Sequence, residues 1–129
     1  MSVIVRDTGF HAEDWTEGFD APIALDLPSD TDPATLEFNQ TTRMIRIDFP
    51  SFADGRGFTL ARLLRLRGYK GQLRARGHVI ADQYAMARRA GFDEIEIDEA
   101  LAERQPQDQW IFRADWQAHD YQARVRGTA

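Results

Sequence analysis

Hydrophobic and polar positions alternate with period two in several short runs of the chain and recur at helical spacing in two longer ones. "SVIVRDTGFHAEDW" sets Val3 and Val5 against polar neighbours, breaks at Asp7-Thr8-Gly9 and recovers at Phe10, which predicts a β-hairpin over a glycine turn. "APIALDL" reads as a short strand, and the proline, serine and aspartate cluster of "PSDTDPATLE" leads into about one helical turn. "MIRIDF", from Met44 to Phe49, is a strand with β-branched residues. "FTLARLLRLRG" places Leu60, Leu63, Leu64 and Arg67 at helical spacing, so a helix is expected from near Thr59 to the terminal Gly68. "GQLRARG" supplies another short strand. Asp82 then stands as the N-cap of "QYAMARRAG", a helix ended by Gly91, and "FDEIEID" forms a strand with Ile95 and Ile97 on one face.

Strand, helix, strand, helix, strand with short connections predicts an α/β fold: a mainly parallel sheet with right-handed crossovers and helices packed on it. The whole chain, 1–129, is expected to be a single domain. Residues 1–42 supply variable N-terminal strands including the hairpin, 43–98 the βαβαβ core, and 99–129 a short helix ("EALAER") and a C-terminal aromatic tail that docks. In such sheets ligands gather at the carboxyl ends of the strands. The loops "PSFADGRG" and "GHVIAD" both lie at that edge and should be neighbours. The tail carries Trp110, Phe112, Trp116 and Tyr121 among charges, more apolar surface than a free segment exposes. It should dock on the domain, a second copy or a partner, with Trp110, Trp116 and Tyr121 as the interface residues.

Composition narrows the chemistry. There is no cysteine, which removes disulfides, thiolate metal sites, cysteine-ligated clusters and cysteine nucleophiles. His11, His78 and His119 are too scattered for metal-ligand spacing, so no protein-bound metal and no cofactor is expected. No apolar window is long enough to cross a bilayer and the start lacks a secretion signal, so no membrane partner and a cytoplasmic location are expected.

The net charge is −5, unevenly spread: nine acids against Arg6 from Met1 to Gln40, then nine basic residues against Asp54 and Asp82 from Asp54 to Gly91. Either these blocks face one another, within the chain or across a homodimer, or the basic segment receives a small anion. Nucleic acid is a poor partner for an acidic chain whose arginines lack interleaved aromatics.

In "PSFADGRG", Gly55 and Gly57 would permit positive φ and close backbone approach, the following helix start would present free amides, and Arg56 would grip an anion. The structural alternative has Asp54 bonding turn amides and Arg56 pairing with Asp48 or Asp82. His78 follows Gly77 and precedes Asp82 and Gln83; it could act as an acid or base, or simply bond a backbone carbonyl. Tyr84 is either packed or an acid. Ligand-binding candidates are therefore Asp54, Gly55, Arg56, Gly57, Gly77, His78, Asp82 and Gln83, and catalytic candidates are Asp54, Arg56, His78 and Asp82.

"DFPSFADGRGF" and "GHVIADQ", within a stretch running from Met44 to Ile97, resemble a bacterial family of small proteins with a domain of unknown function. Its members are often encoded beside sulfite reductase and described as oxidoreductases of sulfite reduction. The family's repeated positions fall here on Phe49, Pro50, Asp54, Gly55, Arg56, Gly57, Arg62, Leu63, Gly71, Gly77, Asp82, Gln83, Gly91, Phe92 and Asp93. Many relatives have Asp at His78, Arg at Ala81 and Cys at Ala90, which favours Arg56, Asp54, Asp82 and Gln83 over the histidine. The resemblance implies an accessory role in assimilatory sulfite or sulfate reduction, with sulfite reductase as a possible partner. The alternatives are a small enzyme acting on a phosphorylated or sulfur-containing metabolite at the same edge, and a purely structural dimer.

Overall fold

A computed structural model describes residues 2–116. Six strands form one sheet: β1 (Ser2–Arg6), β2 (Gly9–His11), β3 (Ala24–Leu27), β4 (Met44–Phe49), β5 (Gln72–Gly77) and β6 (Glu94–Asp98). Their order across the sheet is β2-β1-β6-β5-β4-β3. β3 to β6 are parallel neighbours, while β1 runs antiparallel to both β6 and β2, so the sheet is mostly but not wholly parallel. Helices α1 (Arg56–Leu66) and α2 (Tyr84–Ala90) link successive parallel strands, and α3 (Glu99–Arg104) and α4 (Gln107–Ile111) follow β6.

Because each right-handed crossover moves the chain one strand in the same direction, α1 and α2 fall on the same face of the sheet. Alternation of side chains turns Ile45, Ile47, Leu73, Ala75, Ile95, Ile97 and Val5 toward that face, where they are fully or almost fully buried in the core. Phe49, Phe58 and Phe92 meet at its centre with ring centroids 4.9–6.4 Å apart. Gly57 has no positive φ: it is a glycine because a Cβ there would run into the Phe49 ring, so its absence lets α1 lie close on β4.

The intervening strand positions face the other way and are charged over most of the centre, with fully buried Ile4, Ala24 and Met44 among them. Register sets Asp26, Arg46, Arg74 and Glu94 side by side in one row, and Asp48, Arg76 and Glu96 in the next. Among the described residues no helix covers this side; residues 12–20, on the connection from β2 to β3, cross it. Arg74 is completely buried there, held by Glu94 at 2.6 Å, Glu13 at 2.8 Å and Glu96 at 2.9 Å. Burial alone would lower its proton affinity, but its carboxylate partners raise it overall.

Three local expectations change. α1 begins at Arg56, three residues before Thr59, with Gly55 as its N-cap. Asp82 is not an N-cap: it sits within a 3-10 turn, Ala81–Gln83, that runs into α2, and the Gln83 side chain accepts from the Ile80 amide at 3.0 Å. The glutamine-rich "QPQDQ" contributes to α4, which pure polarity concealed.

Candidate functional site

β4 delivers "PSFADGRG" and β5 delivers "GHVIAD" to the same edge of the sheet, and they touch. The His78 amide donates to the Phe49 carbonyl at 2.9 Å, the Phe52 and His78 rings meet edge-on at 5.4 Å, and Gln83 Nε2 donates to the Phe52 carbonyl at 2.9 Å. Gly77 carries φ 112°, and a Cβ there would lie 2.7 Å from the Phe49 oxygen. That glycine is the condition for the two loops to approach.

The arginine in the first loop is committed to the turn. Asp54 accepts from the Arg56 amide at 3.0 Å and from its guanidinium at 3.0 and 2.8 Å, and Arg56 Nη2 also donates to Ser29 Oγ at 3.2 Å. Arg56 thus pairs with Asp54, not with Asp48 or Asp82, because two residues of separation at the helix start suffice to close the ring. These hydrogen bonds hold the Asp54 carboxyl well below the ordinary carboxylate range. Asp82 points elsewhere, to Arg113 at 2.8 Å. The sequence candidates therefore divide: Gly77 and His78 face one cleft, Asp54 and Arg56 brace a turn against Ser29, Gln83 locks the loops together, and Asp82 ties α2 to the chain after α4.

The cleft holding Gly77 and His78 has a volume of about 410 Å³. It lies at the carboxyl ends of β4, β5 and β6, between Asp48, Pro50, Arg76, Glu96, Asp98 and, from α3, Arg104. Two of its three carboxylates, Glu96 and Asp98, are engaged, while Asp48 only approaches Arg76. Glu96 accepts from Arg74 at 2.9 Å, Arg46 at 3.1 Å and Ser2 at 3.3 Å, while Asp98 caps α3 through the Leu101 amide at 2.7 Å. Its cations are less so: Arg76 stands 3.4 Å from Glu96 and 3.9 Å from Asp48, and Arg104 has no ion-pair partner among the described residues. The His78 ring likewise forms no hydrogen bond among them, so neither Asp82 nor a backbone carbonyl orients it. Arg76 and Arg104 escaped sequence reading; the signal for Arg76 was the period-two charge in "RAR", whereas Arg104 reaches the cleft only through the packing of α3.

A larger, open groove of about 1180 Å³ lies at the opposite, amino-terminal edge, flanked by Trp15 and Trp116. Its arginines are consumed by Asp7, Asp14, Glu17, Asp93 and Glu94, which leaves Lys70 alone without an ion-pair partner among the described residues. It offers less to a ligand than its size suggests.

The aromatic tail is only partly a surface. Trp110 is 1% exposed, packs edge-on against Tyr84 at 6.2 Å and donates to the Gln105 carbonyl at 2.8 Å, so it is core and cannot serve as an interface residue. Burial and the hydrogen bond to Asp7 raise the Tyr84 phenol, which removes it as an acid near neutral pH. Trp116 is half-buried over Arg88, 4.8 Å away. Tyr121 lies outside the described residues. The exposed apolar side chains of this region are Ile111 and Phe112.

A family model described as a bacterial protein of unknown function, DUF934, matches residues 24–129. The chain belongs to the DUF934 family. The DUF934 match takes in all four parallel strands and the helices, whereas β1, β2 and residues 12–20 precede it. No curated protein and no solved structure matches the chain.

Proposed function

We propose that this DUF934 protein is a cytoplasmic accessory protein of sulfite reduction that holds a small oxyanion in the cleft at the carboxyl edge of the sheet. The observation that carries the reading is the uneven commitment of charge there: Glu96 and Asp98 are spent on structural bonds while Arg76, Arg104 and the His78 ring retain donors. Guanidinium groups with free, parallel N–H donors suit tetrahedral or pyramidal oxyanions. Arg56 supports this site indirectly by holding the turn that shapes its rim.

The test is thermal unfolding of the purified protein against sulfite, sulfate and phosphate, with Arg76→Ala and Arg104→Ala alongside. A saturable rise of the midpoint for one anion, lost in both variants and only weakened in Arg56→Ala, is expected. No shift with any of them rejects the anion site. The sulfite-reduction role has its own test: tagged protein from cells grown on sulfate should co-purify sulfite reductase, and its consistent absence would reject that partner.

A further inference from the structure

Residues 12–20 cross one face of the sheet and meet it through charged and aromatic side chains. β4 and β5 place Arg46 and Arg74 directly opposite each other, a like-charged pair that needs acid between and above it. The sheet supplies Glu96 to both. It also supplies Glu94 to Arg74 at 2.6 Å and Asp26 to Arg46 at 2.7 Å. The strap adds a further layer: Glu13 reaches Arg74 at 2.8 Å, Asp14 reaches Arg6 at 2.7 Å, Glu17 reaches Arg43 at 2.7 Å, and the Phe19 ring lies 3.6 Å from the Arg46 guanidinium carbon. Trp15 adds a longer contact with Arg43, 5.9 Å. The strap thus meets the face mainly through anion–guanidinium and ring–guanidinium contacts, and none of its side chains joins the main hydrophobic core, although Ile4, Ala24 and Met44 on the same side of the sheet are fully buried.

Two further observations separate this arrangement from an ordinary ionic layer. Arg74 Nη2 is buried and has no hydrogen-bond partner, so the strap leaves one donor of its principal arginine unmet. Native proteins seldom leave such a group unpaired. Two of the strap's acids also remain largely in solvent, Asp14 at 62% and Glu17 at 40% side-chain exposure, where ion pairs contribute little to stability; Glu13 alone reaches a fully buried arginine. The connection has slack as well. Residues 12–23 span about 40 Å when extended, against about 24 Å across the five strand spacings they bridge. The strap can lift without unpairing β2 or β3.

We propose that this face binds an acidic, aromatic-bearing segment of another protein, and that residues 12–20 occupy it in the free molecule. The inference stands apart from the anion cleft, which lies at the edge of the sheet. An incoming segment with one more carboxylate or carbonyl than the strap would complete Arg74 and displace the strap by competition.

A fluorescein-labelled peptide with the sequence of residues 12–20 serves as the probe, read by anisotropy at low ionic strength. The variant Glu13→Gln/Asp14→Asn/Glu17→Gln, its fold checked by circular dichroism, should bind the peptide at least ten-fold more tightly than wild type. Added salt should release it, and the peptide with its acids replaced by amides should not bind. Equal binding by variant and wild type, or equal binding of the amide peptide, overturns the proposal. A wild-type dimer that dissolves in the variant would also overturn it, by assigning the face to a second copy's strap. If the variant does not fold, the labelled peptide added to wild type must speed hydrogen exchange across residues 12–20; unchanged exchange rejects the proposal.

Discussion

Trp110 and Phe112 stand two positions apart at the end of α4, one inside the molecule and one 74% exposed. Trp110→Ala should destabilise the protein by about 3–5 kcal/mol, while Phe112→Ala should stay within about 0.5 kcal/mol, both read from urea unfolding. The sequence does not separate them, since each is an aromatic among charges; what separates them is Tyr84, which comes to Trp110 from another helix. Gly77 is a second case. Gly77→Ala combines φ 112° with a Cβ 2.7 Å from the Phe49 oxygen, and should cost about 1–3 kcal/mol and weaken any ligand binding in the cleft. Of the two glycines of the first loop, Gly55 has neither a positive φ nor any atom near an added Cβ, and only Gly57 is constrained, by the ring of Phe49.

At the scale of elements, β4, β5, β6, α1 and α2 were legible because their periodicity is set by the core they cover. α4 was not, being five residues long and stabilised from outside, through Gln107 accepting from the Phe10 amide at 2.8 Å and through Trp110. The charged strand positions carry a prediction of their own. Burial alone would raise the Glu96 carboxyl, yet bonds from Arg74 and Arg46 prevail and hold it below its ordinary value of 4.5. A depressed carboxyl stabilises the fold above its unfolded pKa, and that contribution is lost as the pH falls through the folded one. Glu96→Gln should therefore cost about 1–3 kcal/mol at pH 7 by removing one of the three carboxylates around buried Arg74 and a partner of Arg46, and less as the pH falls below 4.5. Urea midpoints at pH 7 and below 4.5 check this; a cost that does not shrink with acid would show that Glu96 is not ionised in the folded protein.

For the whole molecule, the alternation of strands and helices sufficed to place the two loops together at one edge. It did not show which arginine faces the cleft, because Arg56 is claimed by Asp54 within its own turn while Arg76 and Arg104 converge from a strand and a distant helix. Nor did it show that the helices of the core share one side, which follows from strand order alone. That order leaves the opposite side to charges and the strap. In 0.5 M salt, protease cleavage within residues 12–20 should accelerate ahead of global unfolding, since ionic contacts weaken while the core does not. Cleavage that tracks unfolding at every salt concentration would place the strap in the cooperative core.

The pairing of β1 with β6 joins Val3 to Ile97, a strand near the start of the chain to one made after both core helices. At a synthesis rate of about 5–20 residues per second, the first strand waits on the order of 5–20 seconds for the strand it will lie against. Through that interval the hairpin has one partner, its own second strand, and an open edge carrying Val3 and Val5. The alternating Ser2, Arg6 and the acids that follow keep that waiting edge soluble, and a chaperone that shields extended apolar segments during translation would find its target here rather than in the locally paired centre.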